Sequence, residues 1–271
     1  MPLTDLIRYF NVADNADEST LYLSDERVFA WHQGLHLGSL FQPIVDLRHE
    51  RIVGHQALLS ARHEDGRALD SDQAYALCQT PEAVIHFDRL NRTLHALNFL
   101  AQRRHAGGYL QLAVHPRHLK AVQSQHGLVY EAILKRCGLG PEDIVLEIDA
   151  REFQHNRHLG DALANYRQRG YRLALCELSA ARDGAALLTL RPDIVKLPLG
   201  DCHELLEQAR RLGITVELSS IESGQDLAKA GASGAELGQG GLFGQAQADC
   251  RPTHSGQRLA YNSPSPSGVQ S

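Results

Sequence analysis

The sequence predicts an α/β fold: a modified (β/α)8 barrel of the TIM type in which one strand runs antiparallel to the others. Apolar runs of strand character alternate with helical stretches from Leu40 onward, and this alternation is typical of α/β folds. Eight strand-like runs can be counted, as such a barrel requires. With 271 residues, 43% of them hydrophobic, the chain is long enough to bury one core of this size.

The strand candidates are short apolar runs bounded by polar or turn residues. They are Leu40–Leu47, Ile52–Leu59, Tyr109–Val114, Ile144–Ile148, Arg172–Leu175, Ile194–Leu197, Ile214–Leu218 and Ala235–Leu237. Only residues 48–51 separate the first two runs, which is too short for a parallel crossover and predicts a hairpin. A doubly wound open sheet is the alternative that the same pattern leaves open.

The helix candidates lie between most of these runs and carry apolar residues at helical spacing. They are Phe87–Arg103, Leu128–Arg136, Leu159–Gln168, His203–Leu212 and Gly224–Ala230. A helix between two strands supplies the long crossover that parallel pairing needs.

We divide the chain into three segments: an N-terminal helical extension over residues 1–35, a barrel domain over residues 36–249 and a disordered tail over residues 250–271. The tail is rich in Ser, Pro and Gly. It therefore buries too little apolar surface to offset the entropy lost on ordering.

Two features predict helix within the N-terminal extension. Leu3, Leu6, Ile7 and Phe10 recur at the spacing of one helix face. The residues 24–26, Ser-Asp-Glu, have the composition of a helix N-terminus. We expect a short amphipathic helix at the first position and a second helix after residue 24.

Composition limits the partners and the compartment. The formal net charge of −5 and a pI near 6.3 argue against nucleic-acid binding, which needs a basic surface. The five cysteines are odd in number and widely spaced, as expected for reduced thiols in a cytosolic protein. No apolar run approaches the ~18 residues of a membrane span. The sequence therefore predicts a cytoplasmic protein.

Six segments, taken in order, resemble the motifs of the EAL family. They are Phe41–Asp46, Gly54–Leu59, Val114–Leu119, Ile144–Ile148, Arg191–Leu197 and Gln239–Gly244. Each motif alone is weak, but their order over residues 39–246 makes the resemblance specific. It implies a barrel whose C-terminal mouth, in the family's enzymes, linearises cyclic di-GMP with two Mg²⁺ or Mn²⁺ ions. Such chemistry needs several oxygen ligands that hold two cations about 4 Å apart.

At four ligand positions of the family this sequence lacks the expected side chain. Gln56 stands in place of the namesake glutamate, and Ala113 in place of an asparagine. Cys176 replaces one of two paired aspartates, and Ser219 replaces a later glutamate. Each change removes a charge or a ligand atom, so two cations would repel each other without compensation. We therefore expect no catalytic residues, no bound metal and no cofactor.

A residual set of polar side chains remains at the family's site positions. It comprises Glu147, Glu177, Lys196, Glu222 and Gln239. Glu147 and Lys196 could pair at the mouth, because an unpaired buried charge is costly. The pair is either a remnant of an active site or an ordinary salt bridge.

Two histidine pairs at i, i+3 spacing are weaker candidates for a metal site. They are His115 with His118 and His155 with His158. Pro116 precludes a regular helix across the first pair, and the second pair lacks a third ligand nearby in sequence, so we expect all four to be surface residues.

Three functions are compatible with these observations. The first is a catalytically inactive regulator that binds an unidentified regulatory protein in cyclic di-GMP-related signalling, as degenerate EAL proteins do. The second is a receptor that binds cyclic di-GMP without hydrolysis through Gln42, Pro43 and Gln239. Ser60, in place of a phosphate-binding arginine, weakens that reading. The third is a weak phosphodiesterase. The resemblance also makes a homodimer plausible.

Overall fold

The computed structural model describes residues 3–13, 19–122, 128–154, 159–178, 184–200 and 203–251. The helices are α1 Leu3–Ala13, α2 Ser71–Ala76, α3 Pro81–Ala106, α4 Pro116–Ala121, α5 Leu128–Cys137, α6 Leu159–Gln168, α7 Gly184–Leu187, α8 His203–Arg211 and α9 Gly224–Ser233. The strands are β1 Ser19–Ser24, β2 Arg27–His32, β3 Leu35–Asp46, β4 Arg51–His63, β5 Ala68–Leu69, β6 Tyr109–Ala113, β7 Ile144–Asp149, β8 Arg172–Cys176, β9 Ile194–Pro198, β10 Thr215–Ser219 and β11 Leu237–Gly238.

Eight of these strands close into a ring. Their order is β3-β11-β10-β9-β8-β7-β6-β4, and pairing of β4 with β3 completes the circle. Within the described part of the chain, β3 runs antiparallel to both neighbours and the other neighbouring pairs are parallel. The predicted barrel with one antiparallel strand is therefore confirmed, and the open doubly wound sheet is wrong.

A tight turn explains why β3 and β4 are antiparallel. Asp46 ends β3, and its Oδ1 accepts hydrogen bonds from the backbone N–H groups of Arg48 and His49, both at 3.0 Å. An aspartate that captures the next backbone donors in this way stabilises a turn. The hairpin reverses the chain before any helix can form, so the usual right-handed crossover is absent here.

The base of the barrel interior is apolar. Ile44, Tyr109, Val145, Ala174 and Ile194 form a buried cluster separate from the larger core between strands and helices. These residues come from β3 and from the four successive strands β6 to β9, as expected when side chains stack in layers inside a barrel. The polar residues of the site lie in the next layers, towards the C-terminal ends of the strands.

The second helix expected in the N-terminal extension is wrong. Residues 24–27 connect β1 to β2 as a hairpin, with Ser24 paired to Arg27. Asp25 and Glu26 have φ of 48° and 62°, the left-handed geometry of a primed two-residue hairpin turn. Burial alternates strictly along β2, so a period of two overrides the composition that suggested a helix start. β2 also pairs with the first residues of β3.

The first predicted helix is confirmed as α1. Leu6, Ile7 and Phe10 are buried in the main core, and the helix contacts β1. The Asn11 side chain fixes this contact, because it accepts from the backbone N–H of Leu21 and donates to its carbonyl oxygen, both at 2.8 Å.

The predicted tail starts too early at residue 250. The backbone N–H of Cys250 donates to Gln102 Oε1 at 2.6 Å, and that of Arg251 donates to His55 Nε2 at 3.1 Å. Burial lowers the pKa of His55 to about 4, so the imidazole is neutral and can accept. Residues 250 and 251 therefore pack against the barrel, and the rest of the expected tail lies outside the described residues.

The longest helix of the described chain, α3, has a polar buried face. Asp88, Asn91, Arg92, His95 and Asn98 are each less than a tenth exposed, and apart from the adjacent pair Asn91 and Arg92 they recur at intervals of three. None of the described helices is both long and apolar enough to cross a membrane.

Candidate functional site

The candidate site lies at the C-terminal mouth of the barrel. Gln56 of β4, Gln111 of β6, Glu147 of β7, Lys196 of β9 and Gln239 after β11 meet there through hydrogen bonds. Strand register brings them level, because Gln56 pairs with Gln111 across parallel strands. Active sites of barrels of this type sit at the same end.

The side-chain amide of Gln56 is the centre of the network. Its Nε2 donates to Glu147 Oε2 at 3.0 Å. Its Oε1 accepts from Lys196 Nζ and from Gln239 Nε2, each at 3.0 Å. The residue is less than a tenth exposed. An amide can donate and accept at once, and here both halves are used.

Glu147 and Lys196 form the ion pair expected from the sequence. Lys196 Nζ lies 3.2 Å from Glu147 Oε2, and Gln111 Nε2 donates to the same oxygen at 2.6 Å. Burial opposes the charge of Lys196, but Glu147 and Glu217 outweigh it and raise the pKa of the ammonium. The pair is thus charged and hydrogen-bonded, which is the condition under which burial is tolerated.

Glu217 of β10 belongs to the same cluster and was missed in the sequence. It is fully buried, and its Oε1 lies 3.5 Å from Lys196 Nζ. Burial raises its pKa to about 7, with Lys196 opposing the shift and Glu147 adding to it. A glutamate at the centre of the apolar run Thr215–Ser219 was the available signal.

Three of the substituted positions stay outside the network. Ala113 ends β6 and has no polar side-chain atom. Cys176 Sγ points to the carbonyl oxygen of Ile148 at 3.6 Å, and burial raises the pKa of its thiol far above the usual value. Ser219 Oγ donates to the carbonyl oxygen of Leu197 at 3.4 Å. Both polar groups are directed at the backbone.

Glu177 and Glu222, named as residual carboxylates, are not brought to the network. The Glu177 side chain is 58% exposed, and its nearest cation, Arg151 Nη1, lies 4.0 Å away. Glu222 Oε1 accepts from the backbone N–H of Gly241 at 3.0 Å, so it holds the loop after β11 in place.

The ligand candidates Gln42 and Pro43 support that same loop. Gln42 Nε2 donates to the carbonyl oxygen of Gly244 at 3.3 Å. A Cβ on Gly244 would lie 3.1 Å from Pro43 Cγ, and Gly244 has a φ of 155°. The third candidate, Gln239, is bonded to Gln56 as described above. Whether any of the three contacts a ligand stays a prediction.

A cavity of about 290 Å³ opens beside the network. Glu147 is the member of the network that reaches it, whereas Gln56, Lys196 and Gln239 are not among its lining residues. The polar centre of the barrel is thus closed, and the open space is displaced towards α2, α3 and the end of β4.

The wall that α3 contributes to this cavity was not anticipated. It consists of Asn91, Arg92 and His95. Burial lowers the pKa of His95 to about 4, and its Nδ1 is 2.8 Å from Ser39 Oγ. The signal in the sequence was the polar residue at every third or fourth position of α3, which the search for apolar periodicity passed over.

The expectation that His115 and His118 are surface residues is wrong. His118 is buried, with Nδ1 at 3.1 Å from the buried carboxylate of Asp88. The His115 side chain is 12% exposed, and its Nε2 lies 3.1 Å from Asp72 Oδ1. Both pair with acidic side chains, which explains their burial. The other pair, His155 and His158, lies outside the described residues.

A family model for the EAL domain matches residues 30–246 of the chain. The chain belongs to the EAL domain family. Since the match covers most of the sequence, the six motifs named above are accounted for together. No curated protein sequence matches this EAL chain.

Solved EAL structures resemble this domain in fold. The Klebsiella pneumoniae BlrP1 manganese/cy-diGMP complex aligns with a TM-score of 0.69 at 19% identity, over 88% of this chain and 61% of BlrP1. The cAMP-bound EAL enzyme Bd1971 aligns at 0.66 and 19% identity, over 92% of this chain and 68% of its own. The PaMucR phosphodiesterase c-di-GMP complex aligns at 0.66 and 14%, over 78% and 96%. This EAL chain therefore spans about three fifths of BlrP1.

The described residues of this EAL domain contain no group of three or more His, Cys, Asp or Glu side chains arranged to hold a metal ion. At the mouth, two carboxylates and one ammonium share the buried centre, namely Glu147, Glu217 and Lys196. The lysine already provides the positive charge that these carboxylates need.

Proposed function

We propose that this EAL domain does not hydrolyse cyclic di-GMP and acts instead as a regulator in cyclic di-GMP-related signalling, through binding another protein. One observation carries the proposal. The Gln56 amide and the Lys196 ammonium both donate to Glu147 Oε2, at 3.0 and 3.2 Å, and Lys196 also donates to Gln56 Oε1 at 3.0 Å. A network of this kind leaves Oε2 of the central carboxylate committed to the protein itself.

The donor set does not fit a pair of divalent cations. Mg²⁺ requires near-octahedral oxygen coordination at about 2.0–2.1 Å, and a bound ion would displace Lys196 from Glu147. Gln56 brings no charge, Ala113 no ligand atom, and Cys176 a thiol whose raised pKa keeps it protonated. Two ions held so weakly would repel each other.

The same pairing favours an interaction surface at the mouth. Asp149 is bonded to Arg151 Nη2 at 2.6 Å, and Glu147 is neutralised by Lys196. Covering such a rim with a partner costs less desolvation than covering unpaired carboxylates would. This supports protein binding at the end of the barrel where folds of this type place their active sites.

Incubation with cyclic di-GMP and either Mg²⁺ or Mn²⁺, followed by nucleotide chromatography, tests the catalytic part. We expect the dinucleotide to stay intact at protein concentrations and times at which PaMucR phosphodiesterase converts all of it. Linear product formed by this chain, and not by a matched Glu147→Gln variant, would overturn the proposal.

Site-specific photo-crosslinking in extracts of the native cell tests the interaction part. A crosslinker at Glu177, which follows β8 at the mouth, is compared with one at Leu212, which precedes β10 at the opposite end and is also exposed. We expect a defined protein adduct from position 177 alone. Identical adducts from both positions, or none from either, would contradict a partner at the mouth.

A receptor that binds cyclic di-GMP without cleaving it is the second candidate. The open cavity beside Glu147 favours it, as do the dinucleotide complexes of BlrP1 and PaMucR. Calorimetry separates the two candidates: saturable heat at micromolar dinucleotide supports a receptor, and no heat at high concentration supports the protein-binding regulator.

A further inference from the structure

We propose that an aromatic face beyond the barrel binds residues 261–269 of this same chain in the extended polyproline II conformation. The aromatic face consists of Tyr22 on β1 with Phe29 and Trp31 on β2. None of these three residues lines the mouth cavity. The inference therefore does not depend on whether the domain binds a dinucleotide or a partner protein.

Strand register places the three rings on one side of the β1–β2 hairpin. Tyr22 pairs with Phe29, and their rings stack with centroids 5.8 Å apart and 26° between planes. Trp31 follows Phe29 by two residues, so it points to the same side. Val28 and Ala30 alternate with these residues and are fully buried on the other side, where β2 meets α3. The aromatic face is therefore the side directed away from the core.

The aromatic face is flat and partly open to solvent. Tyr22 is 37% exposed, and Phe29 and Trp31 are half-buried. A Cβ on Gly38 of β3 would lie 3.4 Å from ring atoms of Phe29, so this ring lies directly over the backbone of the next strand. Surfaces lined with aromatic rings are those on which proline-containing extended segments dock.

Residues 261–269 have the pattern of an amphipathic polyproline II helix. Such a helix has three residues per turn and therefore three edges. The apolar residues of this segment fall on two of those edges, Tyr261 with Pro264 and Pro266 with Val269. The third edge carries polar or small residues, namely Asn262, Ser265 and Gly268. The segment can thus lay two apolar edges on a surface and keep the third in solvent, without a core of its own.

The described chain ends close enough for this segment to reach the aromatic face. Asp249 Oδ1 lies 2.8 Å from Nη2 of Arg27, the first residue of β2. By the alternation of the strand, Arg27 lies on the same side as the aromatic rings. Residues 252–260 can span about 30 Å when extended, whereas Arg27 and Trp31 are about 13 Å apart along β2. The connection is therefore long enough.

Charge favours the same occupant. Arg258 is the only Lys, Arg, Asp or Glu among residues 252–271. The turn between β1 and β2 carries the exposed residues Asp25 and Glu26. A segment with one positive charge is attracted to these carboxylates, because opposite charges lower each other's electrostatic energy.

Fluorescence tests the proposal, because Trp31 is the only tryptophan of the sequence. Acrylamide quenching is measured on the full chain, on the double variant Pro264→Ala/Pro266→Ala, and on Ser265→Ala, whose change falls on the polar edge. We expect the double variant to raise the quenching constant of Trp31 at least twofold, since the covering segment is lost, and Ser265→Ala to leave it unchanged. Equal quenching of the full chain and the double variant, or equal effects of the two changes, would overturn the proposal.

A photo-crosslinker in place of Tyr261 identifies the surface that the segment contacts. In the full chain at low concentration, we expect an adduct within one chain, on the peptide that contains residues 20–31. The same crosslinker in place of His254, in the connecting residues, should give less of this adduct. Adducts to another surface, adducts only between two chains, or no adduct at all contradict the proposal.

Discussion

The barrel centre and the wall of the adjoining cavity both contain buried polar side chains, but they differ in how fully those side chains are hydrogen-bonded. In the centre, the amide of Gln56 joins Glu147, Lys196 and Gln239, and both halves of the amide are bonded. In the cavity wall, the amide of Asn91 meets only the hydroxyl of Tyr75 among the described residues, in a contact looser than the bonds of the centre. A fully satisfied network rigidifies the part of the core that contains it, whereas a partly satisfied one specifies its surroundings less firmly.

Removal of the buried positive charge at the barrel centre should cause the largest loss of stability. Lys196→Met leaves Glu147 and Glu217 buried with no positive partner, and breaking a buried pair costs about 3–5 kcal/mol. Denaturant unfolding measures the loss. Lys229→Met is the control, because its side chain is 60% exposed and 3.8 Å from Asp226, a pair worth about 1 kcal/mol or less. Equal losses in the two variants would mean that the network is not stabilising.

Glu217, at the barrel centre, should make the stability of the fold decrease as the pH rises. Its pKa is raised in the folded state from 4.5 to about 7, so the folded protein binds a proton that the unfolded chain has released. The resulting stability is complete below pH 4.5 and is lost as the pH rises to 7, by up to about 3 kcal/mol. Denaturant midpoints from pH 4.5 to 8 check this, and Glu217→Gln should flatten the profile over that window. A profile unchanged by the substitution would contradict it.

His95, in the cavity wall, should make the stability of the fold decrease as the pH falls. Burial lowers its pKa from 6.5 to about 4, so the unfolded chain binds a proton that the folded state does not. Stability is therefore present above pH 6.5 and falls as the pH drops towards 4, by about 2 kcal/mol at pH 5. The same titration on His95→Gln should show a smaller acid limb, because His55, whose pKa burial also lowers to about 4, still contributes to it. An acid limb of unchanged size in the variant would mean that His95 does not contribute.

Breaking a surface ion pair should have the smallest effect on stability. Arg27 Nη2 lies 2.8 Å from Asp249 Oδ1, with side chains 42% and 70% exposed. Arg27→Ala should cost about 1 kcal/mol or less, and the loss should disappear in 0.5 M salt because exposed charges are screened. A larger loss that persists in salt would indicate a packing role for Arg27.

The barrel could be predicted from the sequence because its strands are short apolar runs. β7 shows why: five of its six residues are buried, so the pattern in the chain and the pattern in the fold coincide. The hairpin of β1 and β2 was missed because Asp25 and Glu26 suit either a helix N-terminus or a turn, and only tertiary pairing decides between them.

Residues of the site could be predicted from the sequence only where their position on a strand fixed the direction of the side chain. Glu147 and Lys196 lie on β7 and β9, with β8 between them, and side chains from alternate strands meet in one layer inside a barrel, so their meeting followed from the fold. Glu177 and Glu222 occupy loops after strands, where one backbone angle redirects the side chain; Glu177 has a φ of 57°. Asn91 comes from a helix that sequence patterns treat as outer packing, so no strand rule could find it.

The length of β3 and β4 has a mechanical consequence. These strands have 12 and 13 residues, and their outer halves continue beyond the ring as a ribbon that also carries β2 and β5. Sliding β4 by one residue would turn Gln56 outwards and bring His55 into the barrel. A displacement of the ribbon along the strand axis therefore cannot be accommodated by slippage of β4 without loss of the hydrogen bonds that Gln56 makes in the barrel.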